Sequence, residues 1–364
     1  MNKKQINFLV LLIMSILCFS CNDETILNEE SIKSSLQLSN GELKFSSIEA
    51  YESLVDQDML STNELIKVLG TAYTTSFTSL QVKQEQDTFN KKEKSNSVLN
   101  LDEVSPVLNI LNILNEKGIV VIGKWTLSID LIHGIIGVTE SKDSGVKQAL
   151  VNKDFNNSKI RWFGTEDEVL SLLEEDKEST LTIKDLSERM VLSKKNRDKA
   201  ILYRMNECQV DQDLDGTTNF LKDKKVIISE ANCGEGENCK RWLADAKHVY
   251  QKAGIYFSLQ SKIKYRGNVS CSATDLRPIN TRLSVNVRYS YERRRRFKKN
   301  EKKSGTKNDS SFSNELNIKT YSGTRSLKKY RLNTTFTYER KDDCVASCPA
   351  SSRIITIVMP QINK

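Results

Sequence analysis

Residues 281–293 read Thr-Arg-Leu-Ser-Val-Asn-Val-Arg-Tyr-Ser-Tyr-Glu-Arg, and their period is two. Leu283, Val285, Val287, Tyr289 and Tyr291 alternate with polar residues over nine positions. That is the pattern of a half-buried strand, with one face on a core and one in water. Ile255 to Leu259, Leu316 to Ile318, Leu332 to Tyr338 and Ile354 to Val358 share this character. Short strands separated by polar turns predict an antiparallel sheet or sandwich over the C-terminal part of the chain.

The strand runs into Arg293, Arg294, Arg295, Arg296, Phe297, Lys298 and Lys299, and a polar Ser-Gly-Thr-Lys stretch follows. This predicts a hairpin with a basic tip. Arginine forks match phosphate, sulfate and carboxylate geometry, so these six cations are a candidate anion site. The alternative is a solvated tip whose charge keeps an edge strand from pairing with other chains. Just upstream, Trp242, Ala246, Val249, Tyr250 and Ala253 recur at helical spacing, which predicts a helix over 239–253 ended by Gly254. In that helix His248 faces solvent.

The first half reads as mixed. Asn40-Gly41 is a turn before a strand at Glu42 to Phe45, and Ile48, Tyr51, Leu54 and Val55 form a helical stripe. Residues 81–100 read as a polar loop. Ser105-Pro106 starts a helix ended by Gly118. Ile119 to Ile122 and Lys124 to Ile129 are strands with a turn at Gly123, and Thr165 with Glu168 predicts a capping box. The expected fold class is α+β: a mixed N-terminal region, residues 40–200, and a disulfide-stapled antiparallel β-rich domain, residues 201–364. Charge divides at the same place: residues 1–200 carry a net −7 and residues 201–364 a net +15. Such asymmetry suggests surfaces of opposite character.

The N-terminus is an address. Asn2-Lys3-Lys4 precedes the apolar run Phe8 to Leu17, and Ser20 precedes Cys21. The run is too short to span a bilayer and has the form of a signal peptide, residues 1–20. A small residue before cysteine is the bacterial lipoprotein pattern, with Cys21 lipidated by diacylglyceryl and palmitate-type chains and residues 21–39 as a tether. Multiple acyl chains anchor stably. The expected location is the cell envelope, on the outer membrane. Beyond the leader, Cys208, Cys233, Cys239, Cys271, Cys344 and Cys348 all lie in the basic half. In an oxidising compartment six cysteines read as up to three disulfides, with the pairing open.

Several phrases carry a resemblance. They are Asn40 to Phe45 with Ala50-Tyr51, Phe77 to Leu80, Ile113 to Asn115 with Gly118 to Gly123, Phe163 to Leu170, and Ala246 to Leu259. With the lipoprotein start, the chain resembles a broad group of uncharacterised lipoproteins of Bacteroidota over most of residues 1–260. The resemblance implies an exported, anchored protein. It implies no activity and carries over no functional residue.

Chemistry-bearing motifs are few. Asp211, Asp213, Asp215, Gly216, Thr217 and Asn219 match the first half of an EF-hand calcium loop, but the twelfth position is Lys222 rather than a bidentate carboxylate. The readings are a weak calcium site or a solvated acidic turn, and no other cofactor is indicated. His133 and His248 are the only histidines. No HExxH, GxSxG or P-loop occurs, so zinc hydrolases of that motif, α/β-hydrolases and P-loop NTPases are poor fits. The expected function is ligand binding or protein interaction at the envelope. A carboxylate-based glycan hydrolase and a structural or assembly component of an envelope complex are the alternatives. Anionic glycan, lipopolysaccharide or an envelope protein are the partners this suggests, and the address excludes intracellular nucleic acid.

Overall fold

A computed structural model describes residues 34–83, 109–140, 142–195, 202–206, 209–210, 217–218, 222–233, 240–267, 277–294, 300–339 and 354–363. The fold is β-rich, with several mainly antiparallel sheets and a few helices.

The first sheet has six strands in chain order: β1 (Leu36–Ser39), β2 (Glu42–Phe45), β3 (Ile119–Ile122), β4 (Trp125–Asp130), β5 (Ile135–Thr139) and β6 (Arg161–Gly164). Only β2 and β3 run parallel. Asn40 and Gly41 both have positive φ, 55° and 68°, as a two-residue turn between twisted strands requires. β1 begins inside the stretch expected as tether, and Leu36 is buried. Helices accompany the sheet, among the described residues α1 (Ile48–Asp56), α2 (Thr62–Leu69), α3 (Thr71–Ser76), α4 (Ile110–Ile113), α5 (Ser144–Val151), α6 (Val169–Glu174) and α7 (Ile183–Lys195). Ser47 caps α1 by accepting from the Ala50 N–H at 3.1 Å, and Ile48, Tyr51, Leu54 and Val55 fill its buried face as the periodicity predicts. The expected cap at Thr165 is displaced: α6 starts at Val169. The Thr165 backbone is engaged elsewhere, its N–H by the Gly134 carbonyl and its carbonyl by the Gly254 N–H. Residues 81–83, the start of the expected polar loop, are helical, the Lys83 N–H donating to the Ser79 carbonyl at 3.1 Å; the rest of that loop and the Ser105-Pro106 start lie outside the described residues.

The second half forms two packed sheets. One has eight strands: β7 (Leu202–Asn206), β8 (Gln209–Val210), β9 (Thr217–Thr218), β10 (Lys222–Cys233), β11 (Lys240–Lys252), β12 (Phe257–Gly267), β13 (Arg277–Pro278) and, after a crossover, β16 (Glu315–Gly323). The other has four, in the order β15 (Glu301–Ser313), β14 (Thr281–Arg293), β17 (Leu327–Glu339) and β18 (Ile354–Asn363). Leu283, Val285 and Val287 of β14 point into the core between the sheets, where Leu259, Ile263, Tyr265 and Phe336 meet them. Each such side chain contributes about 1.5–3 kcal/mol on full burial.

The expected helix over 239–253 is instead β11, paired antiparallel to β10 and β12 along its length. Every residue from Ala244 to Ala253 is buried, on both faces of the strand, so the strand period has no polar side to show. His248 is therefore a core residue and not a solvent-facing one. Its Nε2 lies 2.7 Å from Thr334 Oγ1 on β17, which in turn lies 3.0 Å from Ser261 Oγ.

The two halves share a core. The β11–β12 turn carries Ala253, Ile255 and Tyr256 into the hydrophobic cluster of the first half, among Phe45, Tyr51 and Val169. Tyr51 Oη donates to the Ile255 carbonyl at 3.2 Å. Gly254 makes this entry feasible, because its φ is +69° and no Cβ occupies the space beside Ile136 and Val169.

Candidate functional site

β14 and β15 form the expected hairpin, in register from Thr281 opposite Ser313 to Arg293 opposite Glu301. β14 is buried at alternate positions only as far as Val287. β15 is different: Lys302 to Ser310 are nine consecutive exposed residues on a strand at the edge of its sheet. Side chains on both faces of that strand are exposed, although the Lys307 ammonium folds back onto β16. Lys302, Lys303 and Lys307 lie along it. Lys307 donates to the Lys319 carbonyl at 2.7 Å. Burial, and then the like charges of Lys303 and Lys319, hold the Lys307 ammonium below the ordinary lysine value.

The arginine run begins at the base of the tip. Arg293 Nε donates to Glu301 Oε2 at 2.6 Å, and its Nη1 lies 3.7 Å from Asp56 Oδ1 on α1. Burial alone would lower the Arg293 pKa; Asp56 and Glu301 outweigh it and hold the guanidinium above its usual value. Arg293 thus has anionic partners inside the molecule, from its own hairpin and from α1. Arg294 is 64% exposed, with Nη1 4.0 Å from Glu168 Oε1. Arg295, Arg296, Lys298 and Lys299 lie outside the described residues.

Beneath the hairpin, the acidic first half meets the basic second half. Arg325, in the β16–β17 turn, is 14% exposed and lies 3.0 Å from Glu52, 3.7 Å from Glu174 and 4.0 Å from Glu168. Thr324 Oγ1 donates to Glu52 at 3.0 Å, Ser326 Oγ donates to Glu168, and Lys319 pairs with Asp58 at 2.6 Å. Burial raises the Glu52 pKa; Arg325 and Thr324 oppose this without offsetting it, while Glu174 and Asp56 add to it. Part of the charge split along the chain is therefore neutralised within the molecule. No local motif marks this cluster, because its members come from residues 52 to 326 and meet only in the folded chain.

A second polar cluster sits at the β4–β5 turn. Asp130 accepts from the Ile132 and His133 N–H groups at 2.9 and 3.0 Å, lies 2.6 Å from His133 Nδ1, and pairs with Lys153. Burial would raise its pKa, but Lys153 and the His133 groups bring it below the usual value. His133 thus sits in a turn, held by the aspartate three residues before it. A separate pocket of about 360 Å³ is bordered by Phe155, Asn156, Arg161, Trp162, Glu178 and Leu186. Trp162 is 4% exposed and packs edge-on against Phe155 at 5.0 Å, a core position. Trp125 lies between Lys124 and Arg161, at 4.4 and 4.6 Å from its ring centre.

Other sequence-derived candidates fall outside the described residues. These are Cys21, the loop residues Asp211, Asp213, Asp215 and Asn219, and Cys208, Cys239, Cys271, Cys344 and Cys348. Thr217 lies in β9 by its backbone, and Cys233 ends β10. Among the described residues, no three His, Cys, Asp or Glu side chains converge as a metal site needs, and no helix is long and apolar enough to cross a membrane.

No known family model matches the chain, and no curated protein matches it. Among solved structures, a DUF4848 family protein from Bacteroides thetaiotaomicron VPI-5482 shows a weak likeness. It is 9% identical over 89% of this chain and 100% of its own, with a TM-score of 0.19.

Proposed function

We propose that the protein is a cell-envelope lipoprotein, anchored to the outer membrane through a lipidated Cys21, that binds an anionic ligand or partner through the β14–β15 hairpin. The leader supports the anchor: Ser20-Cys21 follows the apolar run Phe8 to Leu17. The observation that carries the binding role is the nine-residue exposed stretch of β15, with its lysines and the exposed Arg294 beside it. The exposed stretch holds three lysines against the single carboxylate of Asp309, and with Arg294 beside it this edge suits an electrostatic contact surface. Acidic glycans and lipopolysaccharide are the envelope anions it fits. The carboxylates that the fold brings together, Glu52, Glu168 and Glu174, surround Arg325 and serve the junction. In the oxidising envelope the six distal cysteines pair as disulfides.

The test is binding to a panel of envelope polyanions and neutral glycans at low and high salt. A variant with Arg294, Arg295, Arg296, Lys302 and Lys303 changed to Ser is run beside it. Selective binding that survives moderate salt and falls in the variant supports the proposal. Binding to every polyanion that vanishes with salt refutes it, since bulk charge alone gives that result.

A further inference from the structure

The cations at the base of the hairpin already have partners, and those partners belong to the other half of the chain. Arg293 reaches Asp56 on α1, and Arg294 reaches Glu168 beside α6. Both contacts span the junction between the net-negative and net-positive halves. Resting on the reading of the hairpin as an anion-binding arm, we propose that the acidic first half is an intramolecular competitor for that arm. Asp56 and Glu168 occupy the inner sides of Arg293 and Arg294, and a polyanion engages the whole arm by displacing them.

The geometry makes the displacement inexpensive. Asp56 is 52% exposed, so water receives it when Arg293 turns away. Glu168 keeps Arg325 and the Ser326 hydroxyl. Arg293 keeps Glu301 from its own hairpin. No buried charge is stranded in the open form, which is the condition that would otherwise forbid it. The outer lysines, Lys302 and Lys303, offer a first contact. A small anion that touches only one cation gains too little to exchange with a carboxylate held nearby at high effective concentration. A chain of anions that has docked on the lysines meets the arginines on equal terms. The competitor therefore selects multivalent anions over single ones.

The test uses the full-length chain in a non-ionic detergent, with dextran sulfate as probe and neutral dextran as blank. Affinity is compared for the unmodified protein, for Asp56→Asn combined with Glu168→Gln, and for a control with the same charge change at carboxylates that pair with cations of the first half, Glu140→Gln combined with Glu188→Gln. Each pair has one well-exposed member, and at roughly two- to fivefold each the first variant should bind at least about fourfold more tightly. The control should stay within about a factor of two, because its charges are screened from the arm. Equal tightening in both variants, or none in either while dextran sulfate still binds, overturns the competition and leaves the binding arm standing. Failure of every form to bind dextran sulfate overturns the arm and the competition together. Thermal unfolding of each variant gives its folded fraction at the assay temperature, and affinities are compared per folded protein, because Glu168→Gln also alters the contacts to Arg325 and Ser326.

Discussion

Arg325→Met removes one cation from among three carboxylates and keeps most of the side-chain volume. Glu168 and Glu174 are only 14% and 15% exposed, and Glu52 is 26% exposed, so water screens them incompletely. At an effective dielectric near 20, a contact of this length is worth roughly 4 kcal/mol in Coulomb terms, most of it offset by desolvation. Removing one partner is costlier than the net value of the pair, because the carboxylates stay buried without it. Breaking a buried pair typically costs about 3–5 kcal/mol; partial exposure here points to the lower end, about 3 kcal/mol. The assay is equilibrium urea unfolding followed by circular dichroism at several pH values. Glu52 already has a folded-state pKa above its ordinary 4.5 because it is buried. Its penalty is therefore complete above the folded pKa and is relieved as pH falls through it, when the folded protein takes up a proton. The loss in Arg325→Met should be largest at neutral pH and shrink on acidification, and adding Glu52→Gln should restore part of it. A loss under about 1 kcal/mol, or one constant with pH, would refute the account of Arg325 as the charge centre of the junction.

Further outcomes are expected elsewhere. Asp130→Asn should cost about 2 kcal/mol at pH 7, the scale of hydrogen bonds to a charged group. Because the folded Asp130 pKa lies below 3.8, that stability is complete above 3.8 and lost as pH falls through the folded value, so variant and parent should converge in acid. Gly254→Ala should lower the unfolding midpoint by about 3 kcal/mol in stability terms, from a left-handed φ and overpacking. A Cβ there would meet Ile136 Cδ1 at 2.1 Å, and an unchanged midpoint would mean that the β11–β12 turn is not seated as described. Cys21→Ser should shift the protein from the membrane fraction to the soluble one, whereas retention counts against lipidation. Mass mapping without reductant should find none of the six distal cysteines as a free thiol.

Elements with a strong local signal were readable in the sequence. The Asn40-Gly41 turn, the buried stripe of α1, and β14 with its alternating Leu283, Val285 and Val287 each depend on neighbours only a few residues away. β11 misleads because it lies inside its sheet. With Asp245, Lys247, His248 and Gln251 all buried, polarity no longer tracks the outer face, and the remaining apolar residues happen to fall at helical spacing. Thr165 and Glu168 have the residue types of a capping box. Tertiary hydrogen bonds to Gly134 and Gly254 take the threonine's backbone, and the helix starts later. The basic hairpin was legible as a place but not as a state. That Arg293 is paired with Asp56 depends on a contact between residues more than two hundred positions apart, which one sequence cannot show.

The seating of Ala253, Ile255 and Tyr256 among Phe45, Tyr51 and Val169 bears on how the chain matures. A polypeptide made from its N-terminus exposes Lys195, the last residue of α7, about 60 residues before Tyr256 emerges. At roughly 5–20 residues per second, several seconds pass in which the first sheet and its helices lack part of their interior. During that interval the early segment is a substrate for chaperones and proteases. A version cut after Lys195 would carry the defect permanently. The acidic half is thus earlier in the sequence but not earlier in completion, and the two halves reach their native form together.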